Sequence, residues 1–212
     1  MSDIPLEKKV RDIKFDAMRN AIYHGWRRSF LDRWNRFFSL IVIFSGTAAA
    51  ADLGDRIGLE DSGQYLAFVA AGAGTLQLVF DFGVLARDHD FLQRQYYELI
   101  AQIAEEQNPN EATIAKWERD LFRLYADEPT HMRALDALAY NATVESLGIP
   151  GSRTVRVKWY ESLLSQYYAF HSAVFPYATS GIAASLNTAP SAAASAAAPA
   201  AGQNEPPRSS AS

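Results

Sequence analysis

The chain of 212 residues contains no cysteine, which excludes disulfides, cysteine-ligated zinc, iron–sulfur clusters and thiol catalysis together. Histidine is scarce, at four residues, and no segment alternates cleanly enough for a strand. There is no internal repeat. A dense basic face is also missing: residues 1 to 36 hold nine Lys/Arg against five Asp/Glu, leaving eleven against nineteen for the remainder. An acidic body opposes an extended phosphate footprint, so nucleic acid is not an expected partner.

What the chain does have is two long runs almost free of charge. Residues 65–86, YLAFVAAGAGTLQLVFDFGVLA, carry the single carboxylate Asp81 and then break into RDHDFLQRQYYELIAQI. An apolar segment of that length is what a bilayer-spanning helix needs. Residues 37–51, FFSLIVIFSGTAAAA, carry no charge but reach only about 22 Å as a helix, marginal for a span unless Arg36 snorkels and the bilayer thins. The expected fold is therefore all-α. It has an antiparallel two-helix transmembrane hairpin, with an amphipathic helix over 5–36, spans over 37–51 and 65–86, a polar loop over 52–64 and a cytoplasmic helix over 87–107. Residues 110–178 are expected as a cytoplasmic helical bundle. Its first helix follows Asn110, its second has Pro129 in the first turn and Gly148 past its end, and an aromatic-rich third runs from about Thr154 to Phe175. The Ala/Ser/Pro-rich residues 179–212 are expected as a disordered tail.

Five Lys/Arg precede the first span within twenty residues, against one, Arg56, in the loop. By the positive-inside rule both termini are expected to face the cytoplasm. Antiparallel pairing sets Asp81 opposite Asn35, within reach of Arg36 or Arg33, so an ion pair is expected there. The same register brings Arg87 toward Ser29 and Asp32, extending a polar seam. Gly46 with Ala50, and Ala70 with Gly74, recur at four-residue spacing and permit close helix packing, within the hairpin or in a homo-oligomer.

A catalytic constellation is not expected, nor a cofactor or a metal. Gly72 and Gly74 begin a GxGxxG-like pattern that ends in Gln77 without a preceding strand, so packing is the better account. Asp127 and His131 have a helix-chelate spacing, but Pro129 lies between them and no further ligand is near. His24, His89 and His171 read as surface or interfacial residues. The string RRSFL at Arg27 to Leu31, followed by Ala48 to Ala51, offers a twin-arginine export reading; the amphipathic helix before it and the second apolar run after it oppose that reading.

The segments HGWRRSFLDRWNRFFSLIVIFSG and LVFDFGVLARDHDFLQRQYYELIAQI, joined by a short loop, resemble the SLATT domain over about residues 15 to 105, most specifically from Phe80 through Leu99. In that pattern Asp81 matches the acid ending the second span, Arg87 and His89 the basic and histidine positions that follow, and Arg27 and Arg28 the basic pair before the first. The resemblance implies a bacterial two-span membrane effector associated with SMODS-type nucleotidyltransferases and SLOG nucleotide-sensing domains. Such an effector is proposed to form pores or otherwise breach the inner membrane when a conflict system, often antiphage, is triggered. It implies a nucleotide-signalling or nucleotide-sensing partner. Two other readings stay open: a membrane-anchored scaffold without pore activity, and a soluble bundle with the apolar runs as its core helices.

Overall fold

The computed structural model describes residues 5–50, 61–148, 153–170 and 173–178. Among them the chain is helical, with one isolated antiparallel bridge between Val155 and Tyr177 and no strand. Six helices follow in order: α1 (Leu6–Ala50), α2 (Ser62–Phe80), α3 (Phe82–Glu105), α4 (Glu111–Ala126), α5 (Arg133–Leu147) and α6 (Trp159–Leu164). The first, at 45 residues, is about 67 Å long and runs unbroken from its charged half into its apolar half.

Around the charged half a core forms where apolar positions recur every three or four residues. Ile13, Ala17 and Ala21 of α1 meet Tyr96, Leu99 and Ile103 of α3 and Ile114, Trp117 and Leu121 of α4. Each large side chain removed from water here contributes about 1.5–3 kcal/mol. A smaller cluster joins Tyr23 to Leu135 and Ala139 of α5. Because α4 packs on α1 and α3 and α5 packs on α1, the described residues through Ala178 cluster as one compact unit.

The apolar half of α1 packs along α2 and follows the expected pairing: Gly74 approaches Val42, and Gln77 reaches Asn35 and Ser39. Outward, this pair is apolar on nearly every side, with Phe44, Phe68 and Val79 exposed and Leu78 82% exposed. The run Ser62–Glu105 contains the one helical window, among the described residues, long and apolar enough to cross a membrane, and only 6% of that window is buried. It is not the core of the helical body.

Three expectations need correction. The junction falls at Asp81, not after Ala86, because Asp81 adopts a left-handed backbone (φ 41°) that ends α2 and starts α3. Asp tolerates that conformation better than most residues, since its short side chain bonds locally. Pro129 lies in the 127–132 connector ahead of α5, whose C-cap is indeed Gly148 (φ 57°). The long aromatic helix is reduced to the six residues of α6. Its intended first turn is extended instead, because Asn141 holds the Val155 backbone at both N–H (2.6 Å) and C=O (2.8 Å), and residues 154 and 156 pair with 178 and 176. The expected loop 52–64 lies largely outside the described residues, Asp61 being a turn before Ser62. The expected tail, 179–212, and His171 lie outside them too.

Candidate functional site

At the level where α1 turns apolar, polar groups lie inside the helix pair. Gln77 Nε2 donates to Asn35 Oδ1 and to Ser39 Oγ, both at 2.9 Å, and Ser39 Oγ donates to the Asn35 carbonyl at 2.9 Å. Trp34 and Phe38 stack here, Phe38 lies parallel to Phe82 at 5.5 Å, and Phe82 stacks on Phe80. These rings form a collar at the α2–α3 break. Asp81 sits in it without the expected ion pair to Arg33 or Arg36. Instead its carboxylate accepts from Val84 N–H (3.3 Å), capping α3, where the helix dipole favours negative charge. The left-handed turn directs the side chain along its own chain, while Arg33 and Arg36 stay exposed on α1. Arg87 is likewise exposed, and neither it nor Asp32 forms an ion pair among the described residues; the bridges just below the collar are Arg28 to Asp90 and Arg94 to Asp90, each 2.6 Å.

The small residues divide. Gly74 faces the pair interface, with Val42 Cγ2 3.8 Å from where a Cβ would stand, and Ala70 is half-buried. Gly46 has nothing within 4 Å and faces outward; Ala50 ends α1, and its side chain lies outside the described residues.

Below the collar, the structure brings together a buried polar chain that the surface reading of the histidines missed. His24 of α1 and His89 of α3 are both buried, with their Nδ1 atoms 2.7 Å apart. His24 Nε2 is 3.4 Å from Glu128 Oε1, and Tyr96 donates its hydroxyl proton to the same oxygen. An ionised Glu128 can only accept, so His24 Nε2–H donates to it, and of the two facing Nδ1 atoms one donates and the other accepts. On the other side Glu128 Oε2 is 3.2 Å from His131 Nδ1, and His131 Nε2 is 3.7 Å from Asp136. Asp136 takes Arg19 bidentately at 2.7 and 2.8 Å. The Tyr23 ring stacks on His131 at 4.6 Å, while its hydroxyl accepts from Met132 N–H at 3.0 Å.

The charge states follow from this packing. Burial pushes the Glu128 carboxyl up, but His131, His24 and Tyr96 together outweigh it and hold it at about 2. Asp136 and Glu128, flanking His131, raise it to about 9 despite its burial. Burial, reinforced by the His24 ring and Arg27, lowers His89 to about 3, so it is neutral near pH 7. Burial and the Glu128 hydrogen bond drive the Tyr96 hydroxyl well above the ordinary phenol range.

Chemically, this network clamps α1, α3, α5 and the 127–132 connector together through alternating charges. Among the described residues no nucleophile stands beside it and no three His, Asp or Glu side chains are arranged to hold a metal. Asp127, the other half of the helix-chelate spacing, is exposed and takes no part. A cavity of about 830 Å³ lies elsewhere, between the start of α1 and the α3–α4 turn, and is lined by Glu7 and Glu106 without a cation or nucleophile. A sequence signal for the histidines did exist: His89 continues the buried series Leu92, Tyr96, Leu99 at helical spacing, and His24 follows Ala17 and Ala21. No protein-family model, no curated protein and no solved structure matches this chain.

Proposed function

We propose that the chain is a bacterial inner-membrane effector whose α1–α2 pair is inserted as a hairpin. The helical body stands on the cytoplasmic side, and the protein breaches the membrane when a conflict system is triggered. One observation carries the insertion: outside the pair the exposed side chains are apolar, while its polar residues Asn35, Ser39 and Gln77 satisfy one another inside. That surface is stable against lipid and costly against water. The aromatic collar and the basic residues Arg28, Arg33 and Arg36 beside it fit a cytoplasmic boundary. Triggered action rests on the resemblance to the SLATT domain, which also supplies the homo-oligomer and the nucleotide-signalling partner. The outward-facing Gly46 is available to such an oligomer. The protein acts by rearrangement, with no enzymatic step.

A second reading, a membrane-anchored scaffold, has an observation in its favour: the paired helices present no continuous polar stripe that could line a water-filled lumen without repacking. A membrane-potential dye in expressing cells separates the two, because only a breach depolarises. Asp81→Asn, which keeps a capping side chain but removes the charge, is expected to alter depolarisation without abolishing insertion. Full insertion with no depolarisation under any trigger would leave the scaffold standing.

A further inference from the structure

The α6 segment is built inside out. Trp159, Leu163 and Tyr167 recur every fourth residue and point to solvent, Trp159 being 78% and Leu163 68% exposed. Tyr160, Leu164 and Tyr168 flank them, also exposed. The polar residues of the same turns face inward: Glu161 is 8% exposed and accepts from Lys158 N–H at 2.9 Å, and Ser165, 3% exposed, donates to the Ser162 carbonyl at 2.7 Å. A surface segment facing water would have the opposite order.

This ledge is tied to the boundary of the apolar pair. Arg27 Nη1 donates to the Gln166 carbonyl at 2.7 Å, and the Tyr167 ring meets Phe30 edge-on at 4.9 Å and approaches Trp34 at 6.4 Å. Phe30, Arg33, Trp34, Phe37 and Tyr167 line an open cavity of about 370 Å³ where the apolar surface of α1 begins. The charges on this segment suit anionic headgroups: Arg153 and Arg156 are exposed, and its one acid, Glu161, is turned inward and lies 3.9 Å from the Lys158 Nζ that neutralises it. Tryptophan and tyrosine, each with an apolar body and a polar tip, are the side chains that settle at a lipid–water boundary.

We propose that the face carrying Trp159, Leu163 and Tyr167 lies in the lipid–water interface, a third membrane contact beside the two inserted helices. It rests on the reading that the α1–α2 pair is in the bilayer.

Because the native chain has no cysteine, single-cysteine variants of the full chain carry one environment-sensitive fluorophore each. Leu163→Cys reports on the ledge, with Trp159→Cys as its repeat, Val69→Cys, exposed near the middle of α2, on the inserted pair and the exposed Arg119→Cys on water. All are reconstituted in phosphatidylethanolamine–phosphatidylglycerol vesicles bearing nitroxides at headgroup or mid-chain depth. The expected result is a blue shift at 163 with stronger loss of intensity to headgroup than to mid-chain nitroxide, deep quenching at 69 and neither at 119. Water-like emission at 163 with quenching at 69 overturns the ledge and leaves the hairpin. Water-like emission at both overturns both. A blue shift at 163 with no quenching at either depth means that protein covers the face, and overturns the proposal.

Discussion

The same two strands of helix, α1 and its α2–α3 partner, are packed by opposite rules on either side of Asp81. Below it, α3 buries Leu92, Tyr96, Leu99 and Ile103 and exposes Arg94, Gln95 and Glu98. Above it, α2 exposes Leu76, Leu78 and Val79 and turns Gln77 inward onto Asn35 and Ser39. Helix geometry is common to both halves, so the difference lies in the outer surface, polar around the body and apolar around the pair, which is the contrast the proposed insertion in lipid requires. Apolar side chains gain from leaving water in the body and have nothing to gain from one another in lipid, where small residues and hydrogen bonds decide packing.

Large-to-small changes break this contrast most plainly. Trp117→Ala, in the body, is expected to cost about 3–5 kcal/mol, read as a lowered melting temperature of the purified protein in detergent. Leu78→Ala is expected to leave that temperature nearly unchanged. If both variants were equally destabilised, α2 would be a core helix after all. Val69→Arg instead tests the medium: it places a charge on the outer face near the middle of α2, with an expected insertion penalty of about 2.5–3.5 kcal/mol. Loss of protein from the carbonate-washed membrane fraction measures it.

Glu128→Gln comes next, since it keeps the shape but removes the charge that His24, His131 and Tyr96 share. A loss of about 1–3 kcal/mol is expected, seen as a lower denaturation midpoint of the body. The pH profile sharpens the point. His131 is raised from 6.5 to about 9, so its contribution is complete below pH 6.5 and lost as pH climbs to about 9. His89 is lowered from 6.5 to about 3, so its neutral burial costs stability as pH falls from 6.5 toward 3. Glu128, lowered from 4.5 to about 2, adds a further loss below pH 4.5. Body stability should therefore peak near pH 6.5, and His131→Asn should flatten the alkaline arm; an unaltered arm would remove His131 from the network. The smallest effect belongs to the polar seam. Gln77→Leu should cost about 0.6–2 kcal/mol of helix pairing, measured by steric trapping or thermal scans in lipid.

Much of the architecture was legible because its signals are local. The uncharged runs, the Asn110 cap that accepts from Thr113 N–H at 2.8 Å, and the Gly148 stop all act within one turn of helix. Asp81 stood out as the lone acid of its run, and its neighbourhood of Asn35 followed from simple pairing. Its role did not, because an αL backbone at a non-glycine residue has no reliable sequence mark, and that turn redirected the carboxylate from Arg36 to Val84. Thr154 to Phe175 misled for a related reason: helical aromatic spacing was overridden by Asn141, whose two hydrogen bonds hold Val155 extended.

The histidines mark the limit most clearly. By itself the sequence determined an all-α chain, the position of its apolar runs, the N-cap of α4, the C-cap of α5 and the basic flank beside the first run, all consequences of side-chain chemistry at short range. Only the tertiary structure decided that His24 meets His89 across 65 residues, that Glu128 stands between His24 and His131, and that Arg19 closes on Asp136 across 117. Those contacts depend on which faces of four elements are turned together, and that is fixed by the combined burial of many apolar side chains, not by any one segment.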